Sequence, residues 1–77
     1  MNTLGIDVLT KDKANLIHRL AALKTTESVC DGGMYHEDRS YSQVHLETTW
    51  DEDQLDLWLY KTKGIEYVGV FSREAAK

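Results

Sequence analysis

From Tyr41 to Thr49 polar and apolar positions alternate with a period of two, with Ser42, Val44, Leu46 and Thr48 on one face and Tyr41, Gln43, His45 and Glu47 on the other. The pattern predicts a β-strand with one packed and one solvated face. Leu4, Ile6 and Val8 alternate with Gly5 and Asp7 in the same way and predict a short strand over Thr3 to Leu9. Between these two segments the period changes. Leu16, Ile17, Leu20 and Leu23 recur at helical spacing, with Thr10 as the N-cap. Leu16, Ile17, Leu20 and Ala21 are expected to face the core, and Lys24 suits the negative end of the helix dipole.

A second helix is more fully specified. Asp51 can cap it with Gln54 reaching back, Trp50 and Leu55 can form a hydrophobic staple, and Glu52 and Asp53 lie in the first turn. Lys61 and Lys63 mark its last turn and Gly64 its end. Leu55, Trp58, Leu59 and Thr62 share the face assigned to the core, which leaves Leu57 and Tyr60 outside. Thr25 to Cys30 is compatible with a strand, Asp31-Gly32-Gly33 signals a turn, and Met34 to Glu37 can join the strand before a loop of Asp38, Arg39 and Ser40. Ile65 to Ser72 is apolar on both faces and is expected to be an interior strand. Residues 73–77 are expected to fray.

The resulting (β)αββαβ order predicts an α+β fold, with two helices on one face of a small antiparallel sheet, either ferredoxin-like or a three-stranded variant without the first strand. Seventy-seven residues suffice for one such domain, 1–77, which buries roughly 60% of the unfolded surface. No proline interrupts either helix. A single cysteine, Cys30, permits no internal disulfide, Met1 to Leu9 has no secretory pattern, and no apolar run nears the ~20 residues of a membrane span. A cytoplasmic protein without membrane contact is the expectation.

The net charge of −4 is unevenly placed. Residues 1–24 carry +2, residues 61–77 carry +2, and residues 25–60 carry −8, with Arg39 the only cation among nine carboxylates. Such a chain is a poor binder of phosphate backbones, which require clustered Lys and Arg, so direct nucleic-acid binding is not expected. The field favours a basic partner instead.

Chemistry has few candidates. Cys30, His36, Asp38, His45 and Glu47 are metal-ligand types without ligand spacing, so no metal site and no cofactor are expected. Cys30 with His36 or His45 is the only nucleophile and base pairing, and a lone cysteine in a small β segment is more often an apolar filler. His18 sits on the first helix beside Ile17 and reads as a boundary residue between core and surface rather than a catalyst. Gly32-Gly33 is followed by neither a lysine nor a helix start, so it is not a phosphate loop. A chain of this size is also expected to leave little volume for a pocket of ~300 Å³. No catalytic residues are assigned, and an enzyme is not expected.

Two surfaces remain. One joins Asp51, Glu52, Asp53 and Asp56 to the outward pair Leu57 and Tyr60, an apolar anchor with an acidic rim. The other is the polar sheet face of Tyr41, His45 and Glu47, with Tyr35 and Tyr67. The segment Thr49 to Arg73 (T-W-D-E-D-Q-L-D-L-W-L-Y-K-T-K-G-I-E-Y-V-G-V-F-S-R) resembles, in style rather than by motif, the helix-then-strand half of very small acidic phage-encoded proteins, including anti-CRISPR proteins and inhibitors of host enzymes. The resemblance covers about a third of the chain and implies a stoichiometric inhibitor or adaptor on a larger host protein. The expected function is a non-enzymatic protein-binding module that docks on a basic or nucleic-acid-binding host protein. The alternative is a homodimer that buries its open sheet face.

Overall fold

The computed structural model describes residues 1–73. Its elements are β1 (Asn2–Leu9), α1 (Thr10–Ala21), β2 (Thr26–Met34), β3 (Tyr41–Thr48), α2 (Glu52–Lys61) and β4 (Tyr67–Ser72). The strands form one antiparallel sheet in the order β2-β3-β1-β4. This is the α+β, ferredoxin-like βαββαβ arrangement, with β1 as a central strand, and not the three-stranded variant without it.

Alternation determines which side of the sheet is packed. Leu4, Ile6 and Val8 of β1 and Ser42, Val44, Leu46 and Thr48 of β3 are buried toward the helices. Leu16 and Leu20 of α1 and Leu55 and Leu59 of α2 complete the core, joined by Ile65. The shortest extent of the molecule, 18 Å, is that of two layers. No helix among the described residues is long and apolar enough to cross a membrane.

Both helix starts are tied down, in different ways. At α2 the full capping box forms: Gln54 N–H donates to Asp51 Oδ1 at 2.8 Å, and Asp51 N–H donates to Gln54 Oε1 at 2.9 Å. At α1 the expected Thr10 cap does not form. The chain passes from β1 straight into the helix, so Leu9 occupies the cap position and Thr10 is the first helical residue. Its hydroxyl is instead 2.7 Å from both the Arg39 carbonyl and Ser42 Oγ, which ties α1 to the β2–β3 connection and to β3. Ala21 is exposed rather than core-facing, and Lys24 lies beyond the helix end.

Two strand expectations are corrected. Asp31-Gly32-Gly33 is not a turn between elements but part of β2, where Gly32 and Gly33 together oppose the single residue Gln43 as a bulge, and Asp38, Arg39 and Ser40 lie in the β2–β3 connection as expected. Gly33 takes φ +91°, the left-handed region that favours glycine, and its N–H donates to Asp31 Oδ1 at 2.7 Å. The chain reverses in residues 35–40, where Asp38 accepts from the Ser40 and Tyr41 N–H groups. Second, β4 is an edge strand that pairs only with β1. Both its faces are apolar because Tyr67 and Val70 pack against the core while Phe71 lies on the other side. Arg73 N–H continues the ladder to the Thr3 carbonyl at 2.8 Å, so fraying does not begin there. The remainder of that expectation, residues 74–77, lies outside the described residues.

Candidate binding surfaces

The structure separates the predicted site residues. Those of α2 lie in the helix layer, whereas Tyr41, His45 and Glu47 lie on the opposite, helix-free face of the sheet. No single contact surface contains all of them.

On α2, Leu57 is 53% exposed and Tyr60 80% exposed, so neither the N-terminal strand nor the 31–39 segment covers them. Beside Leu57 a shallow groove of about 310 Å³ is lined by Trp50, Gln54, Trp58 and Lys61. Trp58, expected in the core, is half-buried and tilted against Trp50 with ring centroids 6.2 Å apart. The acidic residues here differ in what they already do. Asp51 is engaged in the capping box, and Asp56 Oδ1 accepts from the Tyr67 hydroxyl at 3.0 Å. Glu52 and Asp53 have neither an ion-pair nor a hydrogen-bond partner among the described residues. The contact to Asp56 also corrects the place of Tyr67, which sits toward α2 rather than on the open sheet face. Burial, and then Asp56 beside it, raise the Tyr67 phenol above its ordinary value.

The open face is organised by a chain of hydrogen bonds across three parts of the fold. His45 Nε2 lies 2.8 Å from Gln43 Oε1, Gln43 Nε2 donates to Tyr35 Oη at 2.8 Å, and Tyr35 Oη donates to Asp7 Oδ1. The direction is self-consistent. Gln43 uses its amide N–H toward Tyr35, so its oxygen accepts, and His45 must carry its proton on Nε2. The bond to Asp7 is the main reason the Tyr35 phenol is raised and stays protonated. The His45 ring lies against Gly32, where a Cβ would overlap it. His45 is therefore an internal strut of this face rather than a free contact residue. Glu47 is exposed and accepts from Ser28 Oγ at 3.0 Å, and Tyr41 is exposed.

Burial, and secondarily the charge of Arg73, hold the His45 imidazole below its ordinary value, while Asp31 acts weakly in the other direction. The unfolded chain takes up this proton near pH 6.5 and the folded chain only at lower pH. Between those values the unfolded state binds more protons, so the contribution of His45 to stability is present above about pH 6.5 and lost on acidification. Denaturant melts at about pH 7.5 and 5.5 should show a larger loss of stability for wild type than for His45→Gln. Equal losses would refute the assignment.

Sequence reasoning missed a groove on the open face. A groove of about 340 Å³ is lined by Asp7, Tyr35, Glu37, Asp38, Tyr41 and Val68. A chain of 77 residues is expected to leave little volume of this size, and what forms is an open surface groove between the β2–β3 connection and the edge strand. Asp7 gives the one readable signal, as the only charged residue of β1. Val68 reaches the groove because it is the extra residue of a bulge, between Tyr67 opposite Val8 and Gly69 opposite Asp7, and is 64% exposed.

At the other end of the open face, Cys30 stands directly across from His45 in the strand register. No hydrogen bond among the described residues joins them, and His45 Nε2 is engaged by Gln43. Nor do three metal-ligating side chains converge anywhere among the described residues.

Fold and surfaces together define a two-layer α+β domain with a grooved open sheet face and an exposed apolar pair on α2. Comparison with protein families, curated proteins and solved structures finds no match to the chain.

Proposed function

We propose that the chain is a non-catalytic protein-binding module that docks on a larger partner with a basic surface, acting as an inhibitor or adaptor of the kind found among small phage-encoded proteins. The observation that carries this reading is the solvent face of α2. There Leu57 and Tyr60 project from a helix whose neighbouring carboxylates, Glu52 and Asp53, are unpaired among the described residues. An exposed leucine and tyrosine with a charged rim is the composition of an interface anchor. A basic partner surface gains both apolar burial and charge complementarity from it, and nucleic acid would compete for the same surface.

A second copy is a poorer occupant. It would bring the same carboxylates to either face, and like charge opposes self-association.

Because Asp56 also holds Tyr67, its reversal would disturb packing as well as charge. The cleaner probes are Leu57→Ala with Tyr60→Ala, and Asp53→Lys. In capture from lysate of the cells of origin, wild type should retain a stoichiometric basic protein that high salt or added nucleic acid releases. The variants, folded by circular dichroism, should lose it. Retention of the same protein by all three would overturn the reading.

A further inference from the structure

We infer that the groove on the open sheet face receives an arginine side chain from a basic segment of a partner protein. The inference rests on the protein-binding reading but names a second contact, on the face opposite α2. Asp7, Glu37 and Asp38 line the groove together with Tyr35, Tyr41 and the exposed Val68. No lysine or arginine lines the groove, and the ion pairs among the described residues join Lys11 to Asp12 and Glu66, and Lys13 to Asp31.

The three carboxylates keep acceptor capacity. Asp7 receives the Tyr35 hydroxyl, Asp38 receives the Ser40 and Tyr41 N–H groups, one of them on its side chain, and Glu37 receives nothing among the described residues. Carboxylate oxygens offer about four lone-pair sites per group, so most remain open. Tyr35 is neutral, its hydroxyl donating to Asp7, and brings no positive charge to the groove. The groove is thus negative, partly apolar and without a cation of its own.

The form of the groove selects among cations. The carboxylates do not converge into a cluster of three ligands, which argues against a compact divalent ion. An extended, delocalised cation fits a spread of acceptors around aromatic rings. A guanidinium is planar, offers five donors in a fixed fork, and stacks on aromatic faces, while its aliphatic stem can cover an apolar residue such as Val68. At about 340 Å³ the open groove has room for one long side chain rather than a folded element.

The test is an amide-resolved NMR titration of the whole chain with N-acetyl-arginine amide. N-acetyl-citrulline amide, of the same shape without charge, and spermidine serve as the comparison probes. Saturable shifts are expected at Tyr35, Glu37, Asp38, Tyr41 and Val68. Citrulline should bind about tenfold more weakly, as the loss of charge-assisted hydrogen bonds implies. Glu37→Gln, at an exposed residue with no structural partner, should weaken arginine binding about threefold, as the loss of one exposed ion pair implies. Unsaturable shifts, equal response to citrulline, or shifts at Leu57 and Tyr60 instead would overturn the inference. A response to spermidine as strong as that to arginine would assign the groove to free polyamines and equally overturn it. Each result is independent of capture through α2, so failure of the groove and failure of the α2 surface are told apart.

Discussion

Replacement of Ile6 by alanine is expected to leave the chain largely unfolded at room temperature. Ile6 is fully buried at the middle of β1, the strand that joins the two halves of the sheet, with Val44 of β3 on one side and Val70 of β4 on the other. A buried isoleucine reduced to alanine loses about 2–5 kcal/mol, the transfer term plus the cavity left behind. A single core in a chain of this size supplies only about 3–5 kcal/mol in total. The substitution therefore removes most or all of the margin. Because β1 alone connects β3 to β4, there is no smaller sheet that keeps the same helix contacts and survives. Urea denaturation followed by circular dichroism is the measurement, with Leu57→Ala as the surface comparison, expected within about 0.5 kcal/mol of wild type. A loss below about 1 kcal/mol for Ile6→Ala would show that the site collapses around the missing atoms and that the central strand is less critical than its burial indicates.

The same dependence on local against distant information explains which parts of the fold can be read from the chain. The faces of β3 and the start of α2 are legible because every signal lies within a few residues: alternation in one case, and in the other Asp51 and Gln54 three positions apart. The glycine pair after Asp31 is not legible in that way. Glycine serves a turn and a bulge equally well, and what distinguishes them is the pairing of Asp31 and Met34 with Val44 and Ser42 of the next strand. The edge position of β4 is hidden for a related reason. Apolar residues on both faces of a strand report what lies above and below the sheet, not whether a neighbour pairs at its side.

Thr10 shows a competition between two partners for one hydroxyl. The residue type suits an N-cap, but β1 leads into α1 with no intervening loop, so the hydroxyl bonds Ser42 and the Arg39 carbonyl. The binding surfaces divide along the same line. Leu57 and Tyr60 follow from helical periodicity alone, and the structure leaves both exposed. The groove draws Asp7 from β1, Glu37 and Asp38 from the β2–β3 connection and Val68 from a bulge in β4, so only the strand order assembles it.

The sign of a substitution at Gly5 is expected to depend on Phe71. Gly5 lies on the open face of β1, directly opposite Phe71 of β4, and a Cβ at Gly5 would overlap the Phe71 ring and crowd the Arg73 stem. Its backbone is ordinary extended strand, with no positive φ. Glycine is therefore held there by space and not by conformation. In wild type, Gly5→Ala should destabilise by about 1–2 kcal/mol, because the ring must leave its site over the strand. With Phe71→Ala already present, the same change should be neutral or stabilise by up to about 0.5–1 kcal/mol, since alanine in a strand loses less backbone freedom on folding than glycine. The two backgrounds thus differ by a coupling of about 1–3 kcal/mol, read from urea denaturation of the four proteins in the cycle. Equal effects in both backgrounds would mean that Arg73 or the neighbouring strands, and not the aromatic ring, exclude a side chain at this position. The ring would then not be what ties the edge strand across the open face. The coupling also bears on binding, because Phe71 and Arg73 cover the strand beside His45, and their displacement would loosen the face that carries the groove.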